Sequence, residues 1–251
     1  MSGFASVLSP AAVFPAGVSP AAVSPAAAPR DQVTALQSRI AGMQATSLRS
    51  RDLPTVPALA DILPGGALKQ GAVYSVDGGA TLVMALLAGP SQAGAWCGVV
   101  GLPDFGAEAA SRFGIDLERL VLVPAPGGQW LAVTAALVDV LGVVVTRPPR
   151  TASDTDAARL AARLRQRGCT LIVVGEWPQS EARLRIDGSR WSGLGQGHGY
   201  LAGRQVTVTS AGRGGQDRSP SARLWLPDER LAFRAATPGR EPAPVPRREA
   251  G

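Results

Sequence analysis

The sequence predicts an α/β protein, with a mainly parallel sheet covered by helices on both faces and antiparallel strands toward the C-terminus. Three observations carry this expectation. Between about Ala72 and Trp177, short runs that are apolar at nearly every position alternate with stretches whose apolar residues recur every three or four positions. Strands apolar on both faces must be buried on both faces, as they are in a parallel sheet between helical layers. Beyond Ser180 the pattern changes to alternation of polar and apolar residues, the mark of half-exposed antiparallel strands.

Taken in order, residues 1–30 read as a disordered arm. A five-residue unit recurs from Ser9 to Pro29 (SPAAV, FPAGV, SPAAV, SPAAA), and a proline every five residues blocks both helix and sheet. Residues 31–47 read as a short helix opened by Asp31, with Val33, Leu36, Ile40 and Met43 on one apolar stripe. That stripe must cover something, either its own domain or a partner, and Leu36, Ile40 and Met43 are candidate partner-binding residues.

A domain is expected over residues 52–234. A Pro-Gly-Gly turn leads to a strand at Ala72–Val76, then a helix from about Ala80 to Ala88, and "AWCGVVGL" is the next strand. "GAEAASRFG" reads as a short helix and "LERLVLVPAP" as a strand. In "GGQWLAVTAALVDVL" the spacing predicts a helix with Trp130, Val133, Ala136, Leu137 and Val140 on one side. "GVVVT" is a strand, "SDTDAARLAARLRQRG" a helix capped by Ser153 or Asp154, and "CTLIVVGEW" a strand. "RLRIDGSRW", "RQVTVTSAG" and "SARLWLPDE" are the antiparallel strands, with "GLGQGHGYLAG" between the first two as a glycine-rich loop. Residues 235–251 read as a disordered tail.

Composition narrows the function class. The chain has 25 Lys+Arg against 19 Asp+Glu, a net charge of +6, and Lys69 is its one lysine. A modest, arginine-based excess suits an acidic partner, because arginine binds phosphate and carboxylate bidentately. Cys97 and Cys169 fall in predicted strands and outside any paired spacing, so two buried free thiols in a reducing compartment are expected. The first 29 residues hold no Lys or Arg and are broken by proline, unlike a signal peptide. No apolar run reaches the ~18 residues of a membrane span. The expectation is a cytoplasmic protein without membrane contact.

The strand-to-helix stretch "YSVDGGATLVMALLAG" has the layout of a phosphate-cradling loop. A working loop reads Gly-x-x-x-x-Gly-Lys-Ser/Thr, so that successive N–H groups wrap the phosphates, lysine neutralises them and the hydroxyl holds magnesium. Here Asp77, Gly78, Gly79, Ala80 and Thr81 stand in a short loop. With Thr81 in the hydroxyl position, Ala80 replaces the lysine and Asp77 adds a negative charge. Lys69 precedes the strand and so lies at its wrong end. The loop reads as vestigial, with residual backbone binding through Gly78 and Gly79 as the alternative.

The order of elements resembles the RecA-like ATPase core from about Leu53 to Ser210, most specifically in "FGIDLERLVLVPAPGGQWLAV". Nearer still is the resemblance to the actinobacterial ImuA-prime proteins, carried by "LPGG…G.VY" at Leu63–Tyr74 and "LAGR.V.V…GR……ARLWLPDE" at Leu201–Glu229. Members of that family act in damage-induced mutagenesis. They work beside ImuB, an inactive relative of the Y-family polymerases, and an error-prone C-family polymerase. The resemblance also implies where the remaining ATPase residues should stand. Thr146 and Arg147 occupy the place of the metal-binding aspartate. The water-activating glutamate falls at or near Leu102, with Asp104 as the one acidic candidate nearby, and the nucleotide-reporting glutamine aligns with Glu176. No ATP hydrolysis, no cofactor and no metal are therefore expected.

His198 lacks an evident nucleophile, and one histidine with two distant cysteines makes no zinc site. By the resemblance, Arg183, Arg185 and Arg190 fall at a second DNA-binding loop. Arg204, Arg213, Arg218 and Arg223 follow, with Trp191 and Tyr200 for stacking. Arg183, Arg185, Arg190 and Arg204 are the candidate DNA-binding residues. The competing reading is a charge-balanced surface, since Glu181, Asp187, Asp217, Asp228 and Glu229 dilute the charge. In "RLWLPDE", alternation puts Trp225 opposite Leu224 and Leu226. It is either an exposed edge-strand anchor for a partner or a residue packed under the tail.

The leading expectation is a non-catalytic adaptor that binds an ImuB-like protein, and single-stranded DNA as a further partner. The alternatives are a nucleotide-hydrolysing enzyme using Thr81 and Asp104, and a stand-alone single-stranded DNA binder. Self-association is left open.

Overall fold

The computed structural model describes residues 52–195, 198–212 and 219–236. The proline-rich arm, the 31–47 segment with Leu36, Ile40 and Met43, and the tail beyond Ala236 lie outside the described residues.

Strand β1 (Asp52–Leu53) pairs antiparallel with β2 (Leu68–Lys69) as a small separate sheet. Between them lie the one-turn helix α1 (Pro57–Ala60) and the Pro64–Gly66 turn. Gly65 and Gly66 adopt φ of 74° and 78°, a conformation that costs glycine little. Five parallel strands follow: β3 (Val73–Asp77), β4 (Cys97–Val100), β5 (Leu120–Val123), β6 (Val143–Thr146) and β7 (Thr170–Val174). β8 (Ala182–Gly195) joins β3 in parallel, and β9 (His198–Gly212), β10 (Ser221–Trp225) and β11 (Arg234–Ala235) continue antiparallel. The spatial order is β11-β10-β9-β8-β3-β7-β6-β4-β5.

The core lies on both faces of this sheet. On one face sit α2 (Ala80–Gln92) and α3 (Ala107–Arg112). Helix α2 is buried continuously from Leu82 to Ser91, so it is apolar all round, where a surface helix would show a stripe. Its length exceeds the sequence expectation by four residues, carried through Gly89 and Pro90. Gly89 is required by packing: a Cβ there would lie 2.6 Å from the Pro54 carbonyl oxygen and from the Thr55 Cα.

On the opposite face are α4 (Trp130–Val138) and α5 (Asp154–Arg167). α5 follows its sequence signals closely. Ser153 is the N-cap and accepts from the Asp156 N–H at 3.1 Å, acidic residues fill the first turn and arginines the last. Gly168, at φ 70°, closes the helix by donating to the Leu164 carbonyl. In α4 the helical period is as expected but its phase is rotated. The buried stripe is Trp130, Thr134 and Val138, and Val140 is 73% exposed. The reason is polar: the Trp130 indole N–H donates to Thr146 Oγ1 at 2.6 Å, and Thr134 shares that hydroxyl at 3.4 Å. A spacing argument that counts only apolar residues cannot see a buried threonine.

Two further expectations are corrected. The glycine-rich stretch between β8 and β9 is largely strand, so the two form one long hairpin. And the segment from Ala235 is not all tail, because Ala235 of β11 pairs with Leu224 of β10 and Ala236 donates to the Arg223 carbonyl at 2.7 Å.

Candidate functional site

The carboxyl end of β3 is where an open α/β sheet binds ligands. β3 ends at Asp77 and α2 begins at Ala80, leaving Gly78 and Gly79 as the whole connection. Two residues are too few to circle a phosphate. Gly78 is tight, since a Cβ there would sit 3.1 Å from the Ile186 side chain, and Gly79 is the N-cap without a side-chain cap bond. The Thr81 hydroxyl already has a partner. Arg204, 123 residues away on β9, extends its Nη1 to Thr81 Oγ1 at 3.3 Å.

The hairpin delivers that arginine. β8 pairs with β3 as far as Arg185, and β9 pairs with β10 from Gln205. Farther out, at 189–195 and 198–203, the two strands pair with each other and form an arm. A β-bulge between Ile186 and Gly188 inserts Asp187 and resets the alternation. Trp191 and Ser189 then share a face with Ile186 and with the paired residues Arg204 and Val206. Arg204 Nε donates to Ser189 Oγ at 2.9 Å, and its guanidinium lies 5.6 Å from the centre of the Trp191 ring. A cation at the start of α2 opposes the helix dipole by about 0.3–1 kcal/mol. The cation–π contact, worth about 0.5–1 kcal/mol, offsets that. The two hydrogen bonds, each about 0.5–1.5 kcal/mol, make the arrangement net favourable.

Arg183 and Arg185 lie on the other face. Arg183 Nη2 is 3.0 Å from Glu176 and 3.7 Å from Asp77, and Arg185 Nε is 3.3 Å from Asp187 and 4.0 Å from Asp77. These side chains are more than a third exposed, so each pair contributes only ~0.2–1 kcal/mol. The structure thus groups Arg183, Arg185 and the exposed Arg190 on one side of the hairpin and separates Arg204 to the loop side. No sequence signal could have paired Arg204 with Thr81, because only the bulge and the hairpin register bring them together. Of the neighbouring aromatics, Trp191 is 48% and Tyr200 91% exposed.

Trp225 does not lie on an edge strand and is half-buried. β11 covers its strand, Arg234 lies 5.2 Å from the ring centre, and the ring sits across Gly203, whose added Cβ would be 3.0 Å from it. The Asp228 carboxylate holds that corner. It accepts from the Arg230 and Ala232 N–H groups at 2.9 Å and from Arg234 Nε at 2.6 Å. Burial raises its pKa, but these donors outweigh burial and hold it below the usual carboxylate range.

The other ATPase positions are occupied by different chemistry. The Thr146 hydroxyl is buried and bonded to Trp130, so it serves the core and does not face the loop. Leu102 is buried and Asp104 exposed. Lys69 is at the amino end of the sheet, paired with Glu181 at 2.5 Å beside a recess of about 360 Å³ that Gly71 and Arg165 also line. A magnesium nucleotide does not fit this set. The loop is only two residues long, its hydroxyl accepts from an arginine, and the lysine and aspartate positions carry no matching charge. Among the described residues, no cluster of His, Cys, Asp or Glu could hold a metal, and no helix is long and apolar enough to cross a membrane. Cys97 and Cys169 are buried and unpaired, with their thiols pushed up to about 12 by burial.

The chain shares this layout with known structures. A KaiC-like protein from the hyperthermophilic archaeon Pyrococcus horikoshii OT3 superposes with a TM-score of 0.51 at 14% identity, over 74% of this chain and 99% of that one. The fold is RecA-like. Residues 61–179 match the model of the MT3502 N-terminal domain. The uncharacterised protein Rv3395c of Mycobacterium tuberculosis is 37% identical over 128 residues, 49% of this chain and 63% of its own length. The alignment thus spans somewhat under two thirds of that relative.

Proposed function

We propose that the protein is a non-catalytic adaptor of damage-induced, error-prone translesion DNA synthesis. It binds an ImuB-like relative of the Y-family polymerases and through it serves an error-prone C-family polymerase. The observation that supports the non-catalytic half is the Arg204–Thr81 contact over a two-residue loop, which puts a cation of the chain itself beside the hydroxyl that would hold a nucleotide's magnesium. The translesion half rests on the resemblance of Leu63–Tyr74 and Leu201–Glu229 to the ImuA-prime proteins. A cytoplasmic setting, where the two thiols stay reduced, is part of the proposal. With Trp225 half-covered, the partner surface is assigned to the 31–47 segment through Leu36, Ile40 and Met43. Deleting residues 1–47 should weaken capture of the ImuB-like protein at least tenfold, whereas unchanged capture would remove that segment from the interface.

Single-stranded DNA is the further partner in this reading, favoured by the shared face of Arg183, Arg185 and Arg190. Weak carboxylate pairs can be exchanged for phosphates. In a fluorescence anisotropy titration of a labelled oligonucleotide, Arg183→Ala/Arg185→Ala should lower the salt slope by about 2. Salt-independent binding, or none by the unaltered protein, would exclude this contact.

A further inference from the structure

The geometry points to Arg204 as an internal ligand that clamps the β8–β9 arm onto the vestigial loop, so that the arm is fixed without any bound nucleotide. One guanidinium, carried on β9, connects the start of α2 with β8. It bonds Thr81 at the first turn of α2, bonds Ser189 across the hairpin, and lies over Trp191 in the arm. Inward of Arg204 the hairpin is held by neighbours on both sides, β3 along β8 and β10 along β9. Outward of it the strands pair only with each other, with the Trp225 ring against Gly203 as a further contact, and a two-stranded ribbon alone is marginally stable in water. Arg204 therefore stands where the arm leaves the sheet, its backbone bonded to Leu226 and Pro227 and its side chain reaching the loop. The loop supplies the other half of the clamp. Gly79 lies against Arg204, whose Nη1 would be in ordinary contact at 3.5 Å with a Cβ placed there, and Ala80 adds no cation to repel it. A lysine at position 80 would bring a second positive charge to the same place. The missing lysine and the arriving arginine are thus one arrangement, in which the chain's own cation takes over the loop and positions the arm.

This inference rests on reading the loop as one that takes no nucleotide, and the two can fail separately. Amide hydrogen exchange on the full chain tests both. Arg204→Ala should speed exchange in 189–195 and 198–203 at least tenfold, with β3 and β7 unchanged. Thr81→Val, which keeps the shape and removes the acceptor, should reproduce a several-fold part of that effect and serves if Arg204→Ala fails to fold. Unchanged arm exchange in Thr81→Val would overturn the clamp, because the arm would then be held by hairpin contacts alone. The third arm of the experiment adds 5 mM ATP and magnesium to the unaltered protein, about a hundred times a dissociation constant of ~50 μM, so even a weak site would fill. Exchange at 77–81 should stay the same. Protection there, with both variants behaving as expected, would leave the clamp standing and sink the nucleotide-free reading.

Discussion

At the scale of single residues, the positions that resemble an ATPase have been given other work. Thr146 is the clearest. Its hydroxyl accepts from the Trp130 indole, so Thr146→Val strands a buried N–H and should cost about 1–3 kcal/mol in urea unfolding. A cost near zero would mean the indole finds another partner. The sequence revealed that no carboxylate stood at this position, since Thr146 and Arg147 are plainly readable. It did not reveal what replaced it, because the Trp130–Thr146 bond joins two elements. The thiols give a pH signature. Their pKa in the folded state, about 12, lies above the unfolded value of about 8.5. Their contribution is complete below the unfolded value and is lost as pH rises from there toward 12. Stability should be flat between pH 7 and 8 and fall above pH 9. At pH 8, a thiol reagent should label Cys97 and Cys169 only as fast as the protein opens, and immediate labelling would contradict their burial.

At the scale of elements, apolar runs marked β3, β4, β6 and β7, and Ser153 and Gly168 marked both ends of α5. Those signals are local, so they survive folding unchanged. What was illegible depends on register. The Asp187 bulge turns Trp191 to the loop side, and no alternation pattern foresees an inserted residue. The glycines of the 193–203 stretch suggested a loop, yet Gly193 lies within a register shift of the hairpin at φ 98°, and a Cβ there would collide with the Tyr200 carbonyl. Gly193→Ala should loosen the arm without lowering the melting temperature of the domain. Asp228 closes the other end. Asp228→Asn removes a charged acceptor of three hydrogen bonds and should destabilise by about 1.5–3 kcal/mol, exposing Trp225 to a fluorescence quencher. Because its folded pKa is depressed, the carboxylate's contribution is present above the ordinary value and is lost as pH falls below it.

At the scale of the molecule, a RecA-like sheet is retained while the loop at the end of β3 is tied to a long hairpin by Arg204. The fold was legible because parallel strands buried on both faces leave a strong mark in sequence. The candidate site was legible only as a set of substitutions, and its replacement contact spans 123 residues. The proposed adaptor role requires assembly without nucleotide. The direct test is light scattering after gel filtration of the full chain mixed with an ImuB-like protein, in buffer free of nucleotide and again with ATP and magnesium. The account predicts one complex, formed to the same extent in both buffers. No complex, or a complex that forms only with ATP, would contradict it.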